Sequence, residues 1–517
     1  MTLGGLSYMD AAIIMAYVVG VVAIGTYYGK YVNTAKDFFL AGRALPFWAI
    51  GMSIVVSDIG ATDFVFVGGA AYKYGVSAAN FDWMGSMPAM VIAAFIFMPY
   101  YWRAGVYTIP EFLGRRYNAG VQIIHATLWG VFMLVMLSVI FWTTATFLNT
   151  ILGWPQWVGV LLTLAAVGIY TFSGGLAAVV MTDVIQMIVM FVGGMALLTL
   201  AMIEVGGWGA LQEQVLGMGP QYKDHFTLLL PNDANTPYPW AGIVFGLGIV
   251  MSTAYMSGHQ AIVQRCFGAR SEWDAKGGML FGGLLKSFIP LMVALPGLAA
   301  IVLVPGLEDT PDKAIPQMIK DLMPSGVRGL TFSALVASFL SSADTYLSSA
   351  STIWTTDLYG RFHHMTKGRY PTEKEGLKVG RIFTVLFVVG AAAMSPVLAN
   401  QTSMYNFIQT ALSMFQGPVF AILLLGIMWR RATQWGGLAG LLLGVACSTV
   451  LNYTPGLFPS ENPFLFVAFW SFVFSMLVTV VVSLLTKPEP EEKIRGLTFG
   501  QVMKDGQIQR VLAERTE

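Results

Sequence analysis

Charge is scarce in this chain. Only 11% of its 517 residues are Asp, Glu, Lys or Arg, against about 25% in an ordinary soluble protein, which excludes a water-soluble globular fold. Basic and acidic residues nearly cancel, leaving a formal charge of +1. That balance provides no positive field for nucleic acid, so no nucleic-acid partner is expected. Cysteine is almost missing too. Cys266 and Cys447 have no CxxC companion and no His at metal-ligand spacing, so they read as packing residues rather than a disulfide or zinc framework. The chain also lacks a phosphate-binding loop, an HExxH motif and a nucleophile elbow, and it is not expected to be an enzyme.

What it has is apolar sequence, 56% of the residues, in runs that recur from residue 8 to residue 485. Runs of about 20 apolar residues are transmembrane spans. They predict an all-α polytopic membrane protein with about 13 helices: 7–28, 46–71, 80–103, 122–150, 156–173, 176–203, 241–263, 278–304, 328–356, 379–398, 404–428, 434–452 and 463–485. No basic region followed by a small-residue cleavage site precedes the first run, which therefore reads as a retained helix. Lys and Arg, among them Arg103, Arg115, Arg116, Arg265, Arg270, Arg430 and Arg431, crowd one set of alternate loops. Basic loops stay cytoplasmic, so the expectation is a plasma (inner) membrane protein in the lipid bilayer, N-terminus outside and C-terminus cytoplasmic. The tail 487–517 has soluble composition but is too short for a core of its own; a short helix near 500–513 is one reading of it.

Six ionisable residues fall inside the spans: Asp58, Asp63, Asp82, Asp183, Lys286 and Asp344. Each costs about 2.5–3.5 kcal/mol at mid-bilayer, so such residues face cavities and mark ion or substrate paths, or else form packing ion pairs. Five acids with one base favour a bound cation. Asp58 and Asp63 flank a polar break, Ser57, Gly60, Ala61 and Thr62, in an otherwise apolar helix; either the helix unwinds there and frees carbonyls for a cation, or Gly60 allows close packing. Ser338, Ser341, Ser342, Asp344, Thr345, Ser348 and Ser349 crowd twelve residues of the span from 328. Hydroxyls beside a carboxylate are hard oxygen ligands suited to Na⁺ rather than zinc, or they bond their own helix backbone. A third polar break, Ser252 to Gln260, lies in the span from 241. If 46–203 and 241–430 are two five-helix repeats, each opens with an interrupted helix, as expected of an inverted-repeat transporter. The remaining segments are 1–45, a peripheral helix and loop; 204–240, an extracellular loop rich in Pro and Gly; 431–486, peripheral helices; and the tail.

These residues resemble the sodium/solute symporter family, and within it the bacterial sodium/galactose transporter branch. The likeness is carried by DFFLAGRALPFWAIGMS at 37–53, GVYTIPEFLGRRY at 105–117, YTFSGGLAAVVMTDVIQ at 170–186, GHQAIVQR at 258–265, the serine run at 341 with TTDLYGR at 355–361, and LLLGIMWRRATQWGGLAG at 423–440. It implies a LeuT-like 5+5 inverted repeat that couples Na⁺ entry to uptake of a small-molecule solute by alternating access. The resemblance places a first Na⁺ site at the carbonyls of Val56 and Ile59 with Ser338, Ser341 and Ser342. A second falls on Asp183, Ser341, Asp344 and Thr345, where Asp344 replaces the family's frequent Ser or Thr, so the coupling is one or two Na⁺ per solute, or a proton at Asp344. It also places Lys286, Gln409, Asp63, Asp82, Ser252 and Tyr255 at the solute, Tyr255 closing it from inside, and Val67, Phe81 and Tyr405 at the outer gate. Asp82 stands for a Glu, Ser252 for an Asn, Asp63 for a Gln and Asp58 for an Asn. The expected solute is a sugar or polyol ahead of an amino acid or carboxylate. A membrane sensor and a passive channel are the rival classes; the first needs an output domain and the second a continuous polar pore.

Overall fold

The computed structural model describes residues 2–3, 6–60, 63–232, 236–400, 404–454, 456–458 and 463–499. The expected tail helix near 500–513, and Ala61 and Thr62 of the first polar break, lie outside the described residues. Among the described residues, nine helices are long and apolar enough to cross a membrane, and Phe47–Asp58, Gln156–Ile169 and Gly242–Gly258 are shorter apolar helices. The sequence predicts about 13 spans. The difference falls on these three segments and on Val327–Ile353, whose serines make it less apolar.

The two expected helix breaks are present. Phe47–Asp58 ends where Ile59 leaves helical geometry (φ −86°, ψ 81°), and the chain resumes as a π-helical turn at Asp63–Val67 followed by Gly68–Tyr74. Ser252–Gly258 ends at His259, whose extended ψ of 115° separates it from Gln260–Phe267. A third break divides the long helix Gln156–Val205 at Gly175 (φ 53°, ψ −149°), where a Cβ would lie 2.3 Å from the Phe38 carbonyl oxygen. Only glycine tolerates both that backbone and that approach.

Some segments differ from expectation, the helix expected from 379 beginning at Glu373 among them. The helix expected from 278 begins at Glu272, because the Ser271 hydroxyl accepts from Asp274 N and caps it. The segment 204–240 is not bare loop but contains the helix Trp208–Gly217.

The buried centre is built from Phe47–Asp58, Gln156–Val205 and Val327–Ile353. The serine-rich helix is buried along nearly its whole length and packs extensively on Gln156–Val205. Without a hydrophobic drive between helices in lipid, close packing relies on small residues. Phe47–Asp58 meets Glu272–Lys286 in this way: a Cβ on Gly278 would come within 2.4 Å of Ile50 Cγ2, and one on Gly51 within 2.9 Å of the Gly278 carbonyl oxygen. Gly278→Val is therefore expected to lose about 1–3 kcal/mol through overpacking, read as a lower melting temperature and less monodisperse protein in detergent. Gly20→Ala, where a Cβ meets nothing within 4 Å, is the neutral control.

Candidate functional site

The break in the first interrupted helix changes where its backbone bonds go. Gly60 N turns to the Asp58 carbonyl (3.1 Å) and the Asp63 carboxylate (3.0 Å), which releases the Val56 carbonyl from its helical partner. The serine-rich helix faces this end. Ser338 donates its hydroxyl to the Ile59 carbonyl, Ser342 donates to the Ser57 carbonyl at 3.1 Å, and the Ser341 and Ser57 hydroxyls lie 3.1 Å apart. Val56, Ile59, Ser338, Ser341 and Ser342 thus come together where two buried helices cross.

The residues expected at the second ion site also converge, but around a guanidinium. Asp183 Oδ1 accepts from Ser341 at 2.5 Å, while Asp183 Oδ2 accepts from Ser53, from Ser57 at 3.1 Å and from Arg265 at 3.2 Å. Thr345 donates to the Asp344 carboxylate at 3.3 Å and accepts from Arg265 at 2.5 Å. The sequence assigns Arg265 to a loop because a basic residue after a polar break reads as membrane exit. Instead it is 1% exposed, carried inward on Gln260–Phe267, every residue of which is buried.

Beside the residues expected at the first ion site lies a cavity of about 130 Å³. Asp63, Asp82, Ser252, Tyr255, Lys286 and Gln409 all line it, together with Val67, Phe81 and Ser342. The side chain of Tyr405 lies outside the described residues. Lys286, 4% exposed, ion-pairs with Asp58 and, at 2.8 Å, with Asp82, and donates to Ser86 at 3.0 Å. Asp58, one of the charges expected to face a cavity, lines it as well, and so do Ser86, Tyr346 and Gln416, which the sequence does not single out. Gln416 was legible as the residue one heptad after Gln409 on the same helical face; its Oε1 is buried and has no protein hydrogen-bond partner among the described residues.

Aromatic side chains line the cavity on two sides. Phe81 packs edge-to-face on Tyr238 (5.7 Å), which does the same with Tyr74 (5.5 Å). Elsewhere on its wall the Tyr255 and Tyr346 hydroxyls are 3.3 Å apart, and His259 lies between Tyr255 and Trp129, 4.4 Å from each ring. Beyond them the second break is pinned. Gln260 accepts from Ile109 N at 2.9 Å and donates to the Tyr107 carbonyl, Tyr101 donates to the Ser257 carbonyl, and Gln264 bonds the Phe39 carbonyl and Thr352.

Broken helices, an oxygen-lined crossing and an adjoining polar cavity define the chemistry of the site. The sequence profile of the sodium:solute symporter family matches residues 38–444. The chain belongs to that family. It is a membrane transporter that uses Na⁺, not an enzyme. Sodium/glucose cotransporter 1 of Oryctolagus cuniculus is 31% identical over 95% of this chain and 81% of its own length. A sodium/glucose cotransporter of Vibrio parahaemolyticus is 30% identical over 93% and 91%, and the human sodium/myo-inositol cotransporter 30% over 95% and 75%. Among solved structures, the substrate-bound outward-open state of a Na⁺-coupled sialic acid symporter superposes with a TM-score of 0.83 at 19% identity, covering 94% of this chain and 99% of that one. Mhp1, a nucleobase-cation-symport-1 family transporter, gives 0.56 at 14% identity, over 89% and 97%. The symporter's fold is thus the LeuT-like one.

Proposed function

We propose that this symporter imports a sugar or polyol, driven by Na⁺ bound at Val56, Ile59, Ser338, Ser341 and Ser342. One observation carries the reading: Ser342, which bonds the carbonyl at the broken helix end, also lines the solute cavity. The ion and the solute therefore share a wall. Na⁺ entering from outside replaces hydroxyl–carbonyl bonds with coordination, clamps Phe47–Asp58 to Val327–Ile353 and sets the positions of Asp58 and Asp63 for the solute. Closure at Val67, Phe81 and Tyr405 follows, and loss of Na⁺ to the low-sodium interior frees the broken helix and releases solute past Tyr255. Ion binding drives the cycle only through its different affinity for the two states.

The cavity favours a polyhydroxylated ring. Carboxylates of Asp63 and Asp82 accept from hydroxyls, Ser252 and the amides of Gln409 and Gln416 both donate and accept, and the Tyr255 ring offers an apolar face. The glucose and myo-inositol cotransporters among the relatives agree with that class. An amino acid or other carboxylate needs a cation available to it, and Lys286 is already held between Asp58 and Asp82. The repeats 46–203 and 241–430, with the N-terminus outside and the C-terminus cytoplasmic, complete the proposal. In proteoliposomes, an inward Na⁺ gradient is expected to drive accumulation of a labelled hexose or inositol at least ten-fold above a choline control. Equal accumulation in both would end the symport reading, and Na⁺-driven uptake of amino acids alone would end the sugar and polyol reading.

A further inference from the structure

We infer that the groove between Phe172 and the first turns of the helix Glu373–Met394 binds an anionic phospholipid, with its phosphate held by Lys374, Lys378 and Arg381. In the proposed orientation that lipid comes from the cytoplasmic leaflet.

One face of Glu373–Met394 is packed on protein. Gly376, Gly380, Thr384, Phe387 and Ala391 are buried, and a Cβ on Gly380 would come within 2.6 Å of the Phe39 ring. The opposite face carries Lys374, Lys378 and Arg381 at helical spacing and continues into Ile382, Val385 and Leu386. These apolar side chains are 49%, 47% and 58% exposed. All six line one groove of about 530 Å³, whose other wall includes Phe172, from the arm of Gln156–Val205 that precedes the break at Gly175. Charge in the groove is of one sign. Among the described residues no carboxylate lines it, and Lys374, Lys378 and Arg381 form no ion pair. The acids in the first turn of the helix are engaged elsewhere: Glu373 accepts from Lys36 N at 3.0 Å, and Glu375 pairs with Arg369 at 2.9 Å.

Membrane orientation alone accounts for Lys374 and Lys378, which are exposed and can extend into water. It does not account for Arg381. That residue lies about two turns into the helix, its Cζ is 5.5 Å from the centroid of the Phe172 ring, and its Nε is buried with no hydrogen-bond partner among the described residues. A guanidinium keeps its charge and offers five donors in a rigid fork. Placed over a ring of a second helix, beside side chains that face lipid, it needs an anion that can reach it from the bilayer. A phospholipid phosphate is such an anion: Arg381 and the two lysines nearer the helix start meet its oxygens, and its acyl chains run over Ile382, Val385 and Leu386. A soluble anion leaves that apolar stripe uncovered. A zwitterionic lipid brings a further cation into a groove that already holds three, so the groove selects an anionic headgroup. The bound lipid joins the helices of Phe172 and Arg381 and so stabilises the fold.

The test titrates the full-length protein in detergent with phosphatidylglycerol or phosphatidylcholine of the same acyl chains, counting bound lipid by native mass spectrometry and following the melting temperature. The wild-type protein is expected to bind phosphatidylglycerol at least about ten-fold more tightly than phosphatidylcholine and to melt higher with it. Lys378→Gln combined with Arg381→Gln is expected to lose that preference. Lys367→Gln combined with Lys487→Gln removes the same charge from exposed positions outside the groove and is expected to keep it. Equal binding of the two lipids by the wild-type protein, or an unchanged preference in the groove variant, would overturn the proposal. So would glycerol 1-phosphate raising the melting temperature as far as phosphatidylglycerol does, which would make the groove a site for a soluble phosphate. Should the double variant fail to fold, Lys378→Gln alone tests the charge at an exposed position, and the wild-type comparison of the two lipids still decides. None of these outcomes bears on Na⁺-driven uptake, which is measured separately.

Discussion

Lys286→Met is expected to reduce Na⁺-driven uptake at least a hundred-fold, to the level of empty liposomes. Among the described residues that line the cavity, Lys286 is the one base beside the acids Asp58, Asp63 and Asp82. Its ammonium holds Asp58 on the broken helix and Asp82 on the neighbouring π-helical turn Phe81–Ser86 in one place. Removing one partner of a buried ion pair costs about 3–5 kcal/mol, because the remaining charge is left uncompensated. Here two carboxylates are left facing each other, and the helix that carries the carbonyls of the proposed ion site loses its anchor. The loss should appear as a lowered melting temperature in detergent together with lost solute binding. Lys286→Arg keeps the charge and should restore most of the stability. It should not restore full uptake, since a planar guanidinium cannot take the place of an ammonium that meets Asp58, Asp82 and Ser86 at once. Full transport in Lys286→Met would show that the cavity is not the solute path.

Ser342→Ala is expected to raise the half-saturating Na⁺ concentration ten-fold or more, equivalent to about 1.4 kcal/mol. The substitution removes one hydroxyl from the proposed ion site, whose other oxygens come from Val56, Ile59, Ser338 and Ser341. It leaves the cavity wall almost unchanged in shape. At saturating Na⁺ the solute KM should therefore stay within about three-fold of wild type, while at limiting Na⁺ uptake falls steeply. A variant with altered solute KM and unaltered Na⁺ dependence would place Ser342 at the solute alone and would detach the ion site from this helix crossing.

The parts of the site that the sequence made legible are those that violate the rules of their surroundings. A Gly-bearing polar break in SIVVSDIGATD, a row of serines in a span and a polar run through GHQ are each anomalous in lipid, and each marks a place where backbone or hydroxyl oxygens are diverted from the helix ladder. Asp58, Asp63, Asp82 and Lys286 were flagged for the same reason. Their pairing was not legible, because Lys286 lies more than 200 positions from both partners and the close approach of the helices, as at Gly51 on Gly278, has no local signature. Arg265 was misplaced for a stronger reason. A basic residue soon after a polar break has the signature of a loop, and what distinguishes it is a return of the chain into the protein that no local pattern encodes. The spacing of Gln260 and Gln264, one helical turn apart and flanked by apolar residues, was the available sign that the segment is a buried helix.

The turn 74–81 is fastened to the long segment that follows Gln156–Val205. Val76 N donates to the His225 carbonyl at 2.7 Å, Asn80 donates to the Leu228 carbonyl at 2.6 Å, and Gly75, at φ +80°, leaves no room for a side chain against His225. Phe81 begins directly after this fastening and rests on Tyr238 of the same segment. With the proposed orientation and the proposed gate at Phe81, this segment faces the exterior and is a handle on that gate: a binding protein that grips 222–232 is expected to brake transport without touching the cavity, and its affinity to report which way the symporter faces.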